Sequence, residues 1–267
     1  MKLHARHYCF LGLFVTIAGS MLLNLPIDTG IRPNTQNMYD YIESLPEGSV
    51  LMVSFDHEAS SIPEIRPIAL SLLRHANERN IKLIGVSLLA EGTLIGYRLM
   101  QETAKEYDKE YGRDWVFLGF RPQFIAAILS MGESIPQTYP RDYLGNAVDS
   151  LPMMLQIDNY DDIAGVLSIA DGSLTTHWIE YGGRFGVKVM GGVAAAMVTT
   201  YDPYLSSGQL SAMIGGLRGA AEYEKLIDRG GAGLRGMLAQ SSAHLYVVLL
   251  IVIGNVIYFR NRAKGRG

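Results

Sequence analysis

Residues 241–259 form a run of 19 without a formal charge, and four basic residues, Arg260, Arg262, Lys264 and Arg266, follow it at once. At about 1.5 Å of rise per residue, a helix of that length nearly matches the roughly 30 Å hydrocarbon core of a bilayer. Tyr246 and Tyr258 lie near its two ends, where amphipathic rings favour the headgroup level. A buried core helix is the competing reading, and the basic residues immediately after the run argue against it. Beyond Ser241, Ser242 and His244 at its start, Asn255 is its one strongly polar side chain. It sits either at interfacial depth or in a polar contact with another membrane helix, because an unsatisfied amide in lipid is costly.

A second apolar run, 8–25, stands near the other end of the sequence, preceded by Lys2 and Arg6. Basic residues are retained on the cytoplasmic side, so Lys2, Arg6, Arg260, Arg262, Lys264 and Arg266 orient both ends inward. This predicts a two-pass protein of the cytoplasmic membrane. Its parts are a cytoplasmic segment 1–7, a signal anchor 8–25, a connector 26–48, an extracytoplasmic domain 49–228, a Gly-rich linker 229–240, a second span 241–259 and a basic cytoplasmic tail 260–267. Ends of about seven and eight residues leave no room for an output domain. Gly12, Thr16 and Ser20 fall at four-residue spacing, a pattern that allows close helix approach in a membrane. A cleaved signal peptide is the alternative for this run, with small residues around Ala18. Its continuation through Met21, Leu22 and Leu23 favours an uncleaved anchor.

The charge is split between these parts. The termini hold six of the 23 basic residues and no acidic one, which leaves 17 basic against 26 acidic residues between them, a net charge of −9. An acidic domain lacks the basic footprint that phosphate backbones require, so nucleic acid is not an expected partner. The one cysteine, Cys9, lies in the first run and leaves the domain without disulfides, cysteine catalysis or thiolate metal sites.

Between the spans, 50–55 reads as an apolar strand ending in Asp56-His57-Glu58. An amphipathic helix follows, with Ile65, Ile68, Ala69, Leu72, Leu73 and Ala76 on one face and a capping box from Ser61 and Glu64. Further strands are expected at 81–89, 115–120, 163–170 and within 187–198, with helices at 92–111, 122–131 and 208–227. Met38, Tyr41, Ile42 and Leu45 predict a short helix in the connector, ended by Pro46 and Gly48. Residues 132–162 show no periodicity. Apolar strands alternating with amphipathic helices predict the α/β class: a mostly parallel, doubly wound, Rossmann-like sheet of about five strands, flanked by two transmembrane helices.

Ligands of such sheets bind beyond the carboxyl ends of the strands. Asp56, Asp171 and His177 are the candidate catalytic residues there, with Arg121, Ser173, Thr175, Thr199, Thr200 and Asp202 nearby in the same pattern. Each also has a structural reading, as a loop, capping or packing residue. The first strand–helix turn, 56–61, contains no glycine, and no P-loop, Gly-x-Ser-x-Gly or His-Glu-x-x-His motif is present. No cofactor and no metal are expected.

In the predicted helix 208–227, Gly208, Ala212, Gly216 and Ala220 recur every four residues beside a parallel row with Gly215 and Gly219. These residues, with Asn255, are candidate contact positions for another subunit or another copy, against the alternative of tight packing on the domain's own sheet. The expectation for function is therefore a structural or assembly subunit of a membrane complex, with membrane lipid and other membrane subunits or a second copy as partners. The alternatives are an extracytoplasmic hydrolase and a small-ligand receptor.

Overall fold

The computed structural model describes residues 4–22, 30–263 and 265. The chain begins with α1 (Ala5–Leu22) and continues through α2 (Pro33–Ser44), β1 (Val50–Asp56), α3 (Ile62–Glu78), β2 (Lys82–Ser87), α4 (Ala90–Glu106) and β3 (Trp115–Phe120). Next come α5 (Phe124–Glu133), the single turn α6 (Ile135–Thr138), β4 (Gly165–Ala170), α7 (Leu174–Tyr181) and β5 (Val189–Val193). It closes with α8 (Val198–Ser206), β6 (Ala212–Gly215), α9 (Gly216–Leu226) and α10 (Ala232–Ala263). Two compact units result, Gly30–Gly233 and the terminal segments Met1–Thr29 with Leu234–Gly267.

Within Gly30–Gly233 the six strands form one all-parallel sheet in the order β3-β2-β1-β4-β5-β6. Strands buried on both faces need apolar side chains on both, which is why they read as unbroken runs. In β1, Leu51, Val53 and Phe55 enter one core with Ile65, Ile68 and Leu72 of α3 and Leu99 and Met100 of α4. Met52, on the opposite face, joins Ile128 of α5, Trp178 of α7 and Tyr201 of α8. The aperiodic stretch 132–162 is a packed crossover rather than an open loop: Tyr139, Val148, Met153, Met154 and Tyr160 are buried in the second core.

The sheet has six strands where about five were expected, and the added strand corrects the reading of 208–227 as one helix. Gly208 sits at φ +77 in a turn, 212–215 pairs with β5, and the helix starts only at Gly216, φ +65. Four-residue spacing of small residues had looked helical, yet the interior glycines that would have cost such a helix about 1 kcal/mol each instead terminate a strand. The expected capping box is also absent. The Ser61 hydroxyl donates to the Glu58 carbonyl, and the Glu64 carboxylate accepts from the Ala195 amide. Likewise the Gly-rich stretch 229–240 enters α10 at Ala232.

In the terminal unit, α10 is long and apolar enough to cross a membrane, with an 18-residue window of mean hydropathy 2.0. It is the only such helix among the described residues, where two spans were expected. The apolar part of α1, Arg6–Leu22, reaches about 26 Å at 1.5 Å per residue, and residues 23–25, with Lys2, Lys264 and Arg266, lie outside the described residues. The Tyr246 hydroxyl donates to the Cys9 carbonyl (3.1 Å), and the same hydroxyl occupies the space that a Cβ on Gly12 would need. Thr16 donates to the Gly12 carbonyl and Asn255 to the Ile251 carbonyl, each within its own helix.

The first and last helices of the central unit are joined by a buried carboxylate. Glu222 of α9 has no exposed side-chain surface and accepts from Arg32 Nε (2.8 Å), Thr35 Oγ1 (2.7 Å) and Arg218 Nε (2.9 Å). Nearby, buried His75 of α3 bonds the Tyr223 hydroxyl through Nδ1 (2.7 Å) and Glu43 through Nε2 (2.9 Å), and stacks on Tyr39. Burial holds the His75 pKa below its ordinary value against the opposing pull of Glu43. Replacing Glu222 by Ala removes the shared acceptor of Thr35, Arg32 and Arg218. The expected loss is about 3 kcal/mol in chemical denaturation, the low end for a broken buried ion pair because both arginines reach solvent. A loss under about 0.5 kcal/mol, the scale of an exposed pair, would contradict this account.

Candidate functional site

The strand order reverses between β1 and β4, so their carboxyl ends form the switch point at which doubly wound sheets bind ligands. Asp56 ends β1 there. Register pairs Ser54 with Ser168 and Asp56 with Ala170, and alternation turns Ser54, Asp56 and Ser168 to the same face. Asp56 is fully buried, and its oxygens accept four hydrogen bonds. Ser54 Oγ (2.7 Å) and the Leu88 amide (2.9 Å) donate to Oδ1; Trp178 Nε1 (3.1 Å) and Ser168 Oγ (3.3 Å) donate to Oδ2. Burial pushes its pKa up to about 6, and the four donors act in the opposite direction. Closed from solvent and fully engaged, Asp56 fastens β1 to β2, β4 and α7.

The loop amides beyond the strands are occupied as well. Asp171 accepts from the Glu58 amide (2.9 Å), Glu91 from the Ala59 amide (3.0 Å) and Glu64 from the Ala195 amide (2.8 Å). In nucleotide-binding sheets such amides and the helix start behind them hold a phosphate; here three of the chain's own carboxylates stand in that place. The close approach of α4 leaves no more room: a Cβ on Gly92 would collide with the Phe55 carbonyl, and one on Gly96 would strike the Phe55 ring.

His57 is buried, with Nδ1 3.2 Å from the Glu58 carbonyl and Nε2 without a partner. Burial lowers its pKa, while the Glu58 carbonyl and Asp171 act the other way. His177, half-buried on α7, lies against Phe124 (4.7 Å between ring centres) and Tyr181 (6.0 Å), and its Nδ1 has no partner. No hydrogen bond or ion pair joins any two of Asp56, Asp171 and His177. The three catalytic candidates stand at the strand ends without forming a relay. Thr175 shares a hydrogen bond with Ser168 (2.9 Å), while Ser173, Thr199, Thr200 and Asp202 are exposed.

Other features lie away from the switch point. Arg121 is exposed beyond β3, with its guanidinium 5.8 Å from the Tyr139 ring centre, and lines a cleft of about 440 Å³ with Phe120, Gln123 and Thr138. A larger cleft, about 590 Å³, lies at the opposite ends of the strands, beside Lys188 and Ser211, which precede β5 and β6. Among the described residues no group of three or more His, Cys, Asp and Glu side chains is placed to hold a metal ion. Of the candidate contact residues, Ala212, Gly215, Gly216, Gly219 and Ala220 are buried inside the domain, and Gly208 and Asn255 are exposed.

The residues that define this site were mostly invisible in the sequence. Ser54 and Asp56 at strand spacing were the available signal for a shared face; Ser168, Trp178, Glu64 and Glu91 carried none. No family model, no curated protein and no solved structure matches the chain.

Asp56→Asn keeps one acceptor oxygen but turns an amide NH2 toward the Trp178 N–H. The expected cost at about pH 5 is about 2 kcal/mol in denaturation of the detergent-solubilised protein. Because the folded pKa of about 6 exceeds the ordinary 3.8, Asp56 stabilises the fold in its protonated form. That contribution is complete below about pH 4 and is lost as pH rises through about 6. The gap between wild type and Asp56→Asn should therefore narrow with rising pH, by about 3 kcal/mol at most. A gap that widens over the same range would show that the donors, not burial, set the ionisation of Asp56.

Proposed function

We propose that the protein is a membrane-anchored, extracytoplasmic α/β subunit that organises a membrane protein complex and catalyses no reaction itself. The observation that carries this reading is the occupied switch point: the Asp56 network and the Asp171, Glu91 and Glu64 carboxylates fill the place where a related architecture would receive a substrate or nucleotide. Such a domain retains its surfaces, not its crevice, as the means of acting. The apolar length of α10 supports a membrane anchor, and α1 is the second span in this reading. Arg6, Arg260 and Arg262, with Lys2, Lys264 and Arg266, orient both ends to the cytoplasm, and the acidic domain lies outside. Partners are membrane lipid and other membrane subunits or a second copy.

The hydrolase alternative requires Asp56, Asp171 and His177 to act together, and the absence of any hydrogen bond among them weighs against it. In-cell crosslinking followed by purification of the intact protein in mild detergent should recover one defined assembly. A lone monomer with no crosslinked partner would refute the reading. Hydrolytic turnover lost in His177→Ala, with denaturation unchanged, would replace it with the enzyme.

A further inference from the structure

Residues 26–240 carry a net charge of −9, yet one edge of the domain has the opposite character. Beside edge strand β3, Leu94 of α4 (46% exposed), Tyr143 (41%) and Leu144 (51%) present apolar surface to solvent. The Tyr143 ring is fixed rather than loose: its centre is 5.0 Å from that of Tyr97 and 5.6 Å from that of Phe117. The turn that carries it is fastened by buried Asp142, which accepts from the Leu144 and Asn146 amides and from the Tyr111 hydroxyl. Arg98 lies one turn beyond Leu94 on α4, Arg141 leads into the turn, and Arg121 follows Phe120 at the end of the strand. All three arginines are exposed, and none has a carboxylate partner among the described residues.

The same α4 begins at the acidic rim. Glu91 precedes Leu94 by three residues, one helical turn, and stands with Glu58, Glu64 and Asp171 at the strand ends. An arginine-rimmed apolar patch and a carboxylate rim therefore adjoin on one surface. Unpaired arginines beside fixed aromatic and leucine side chains have the composition of a protein interface centre, and charge complementarity sets which partner is accepted. A twofold axis placed between patch and rim sets each copy's arginines against the other's carboxylates, which is the self-complementarity that a closed dimer needs.

We propose that this edge is a dimerisation surface, on which the arginine-rimmed patch of one copy meets the acidic strand-end rim of a second. The inference rests on the assembly reading above and identifies its partner. The full chain in mild detergent should scatter light as two copies, and the mass should halve in the triple variant Arg98→Glu, Arg121→Glu, Arg141→Glu. A second variant, Glu58→Lys with Glu64→Lys and Glu91→Lys, leaves Asp171 as the rim's one carboxylate, makes patch and rim both basic and should also run as one copy. Mixed, the two variants place opposite charges at both contacts and should restore a complex containing one of each, which neither misfolded chain could do. A monomeric wild type, self-association surviving in the triple variant, or failure of the mixture to pair overturns the proposal. Should the wild type be monomeric while in-cell crosslinking still recovers other subunits, the dimer fails and the assembly reading stands.

Discussion

A carboxylate leaves water without ruinous cost only where other groups take the place of its hydration. Asp56 meets that condition with donors from β1 itself, from the amide beyond β2, from β4 and from α7. The arrangement stands where the strand order reverses, between β1 and β4. Where strand order reverses, β1 and β4 have no helix connecting them directly, and the chain travels through β2, β3 and the long crossover before it returns. Two of the four hydrogen bonds on Asp56, from Ser168 and Trp178, reach across to the β4 half and add to the β1–β4 backbone ladder. The cost is a carboxyl group whose ionisation burial opposes, and the chain itself supplies all four hydrogen bonds that hold it.

The fold was largely legible because burial on both faces leaves a signature that needs no partner to be recognised. The strand expected at 115–120 is Trp115–Phe120, and those at 81–89 and 163–170 differ from the observed strands only at their ends. β6 was lost for a physical reason. Four residues are too few to display strand periodicity, and the glycines that bound Ala212–Gly215 fall by chance at helical spacing. The position of the candidate site was legible too, since Asp56, Asp171 and His177 do follow or flank strand ends. Its character was not. Whether Asp56 faces water or four donors is decided by Ser168 and Trp178, more than a hundred residues away, and no local pattern reports on them.

Carboxylates at loop amides give this architecture a different use for the same geometry. An unoccupied amide at a helix start attracts an anion, and the chain supplies one from within. Asp171, Glu91 and Glu64 satisfy the Glu58, Ala59 and Ala195 amides, and in doing so they fix the loops and concentrate negative charge at one end of the sheet. Internal cohesion thus creates an external field. The arginines near β3 belong to the same logic: no carboxylate among the described residues pairs with them, and in the dimer proposed above the second copy's rim supplies the counter-charge.

The buried Glu222 completes the argument at the other boundary of the domain. Chain ends fray unless they are tied down, and α2 and α9 are the first and last helices of the central unit. Glu222 joins them through Arg32 and Thr35, and His75 joins both to α3 through Glu43 and Tyr223. Local opening of α9 would have to break an ion pair and two buried hydrogen bonds at once, which places it with the core in stability and not with a fraying helix end. The assembly role proposed above needs this property more than an enzyme would, because an interface retains its complementarity only if the helices and turns that carry it keep one arrangement.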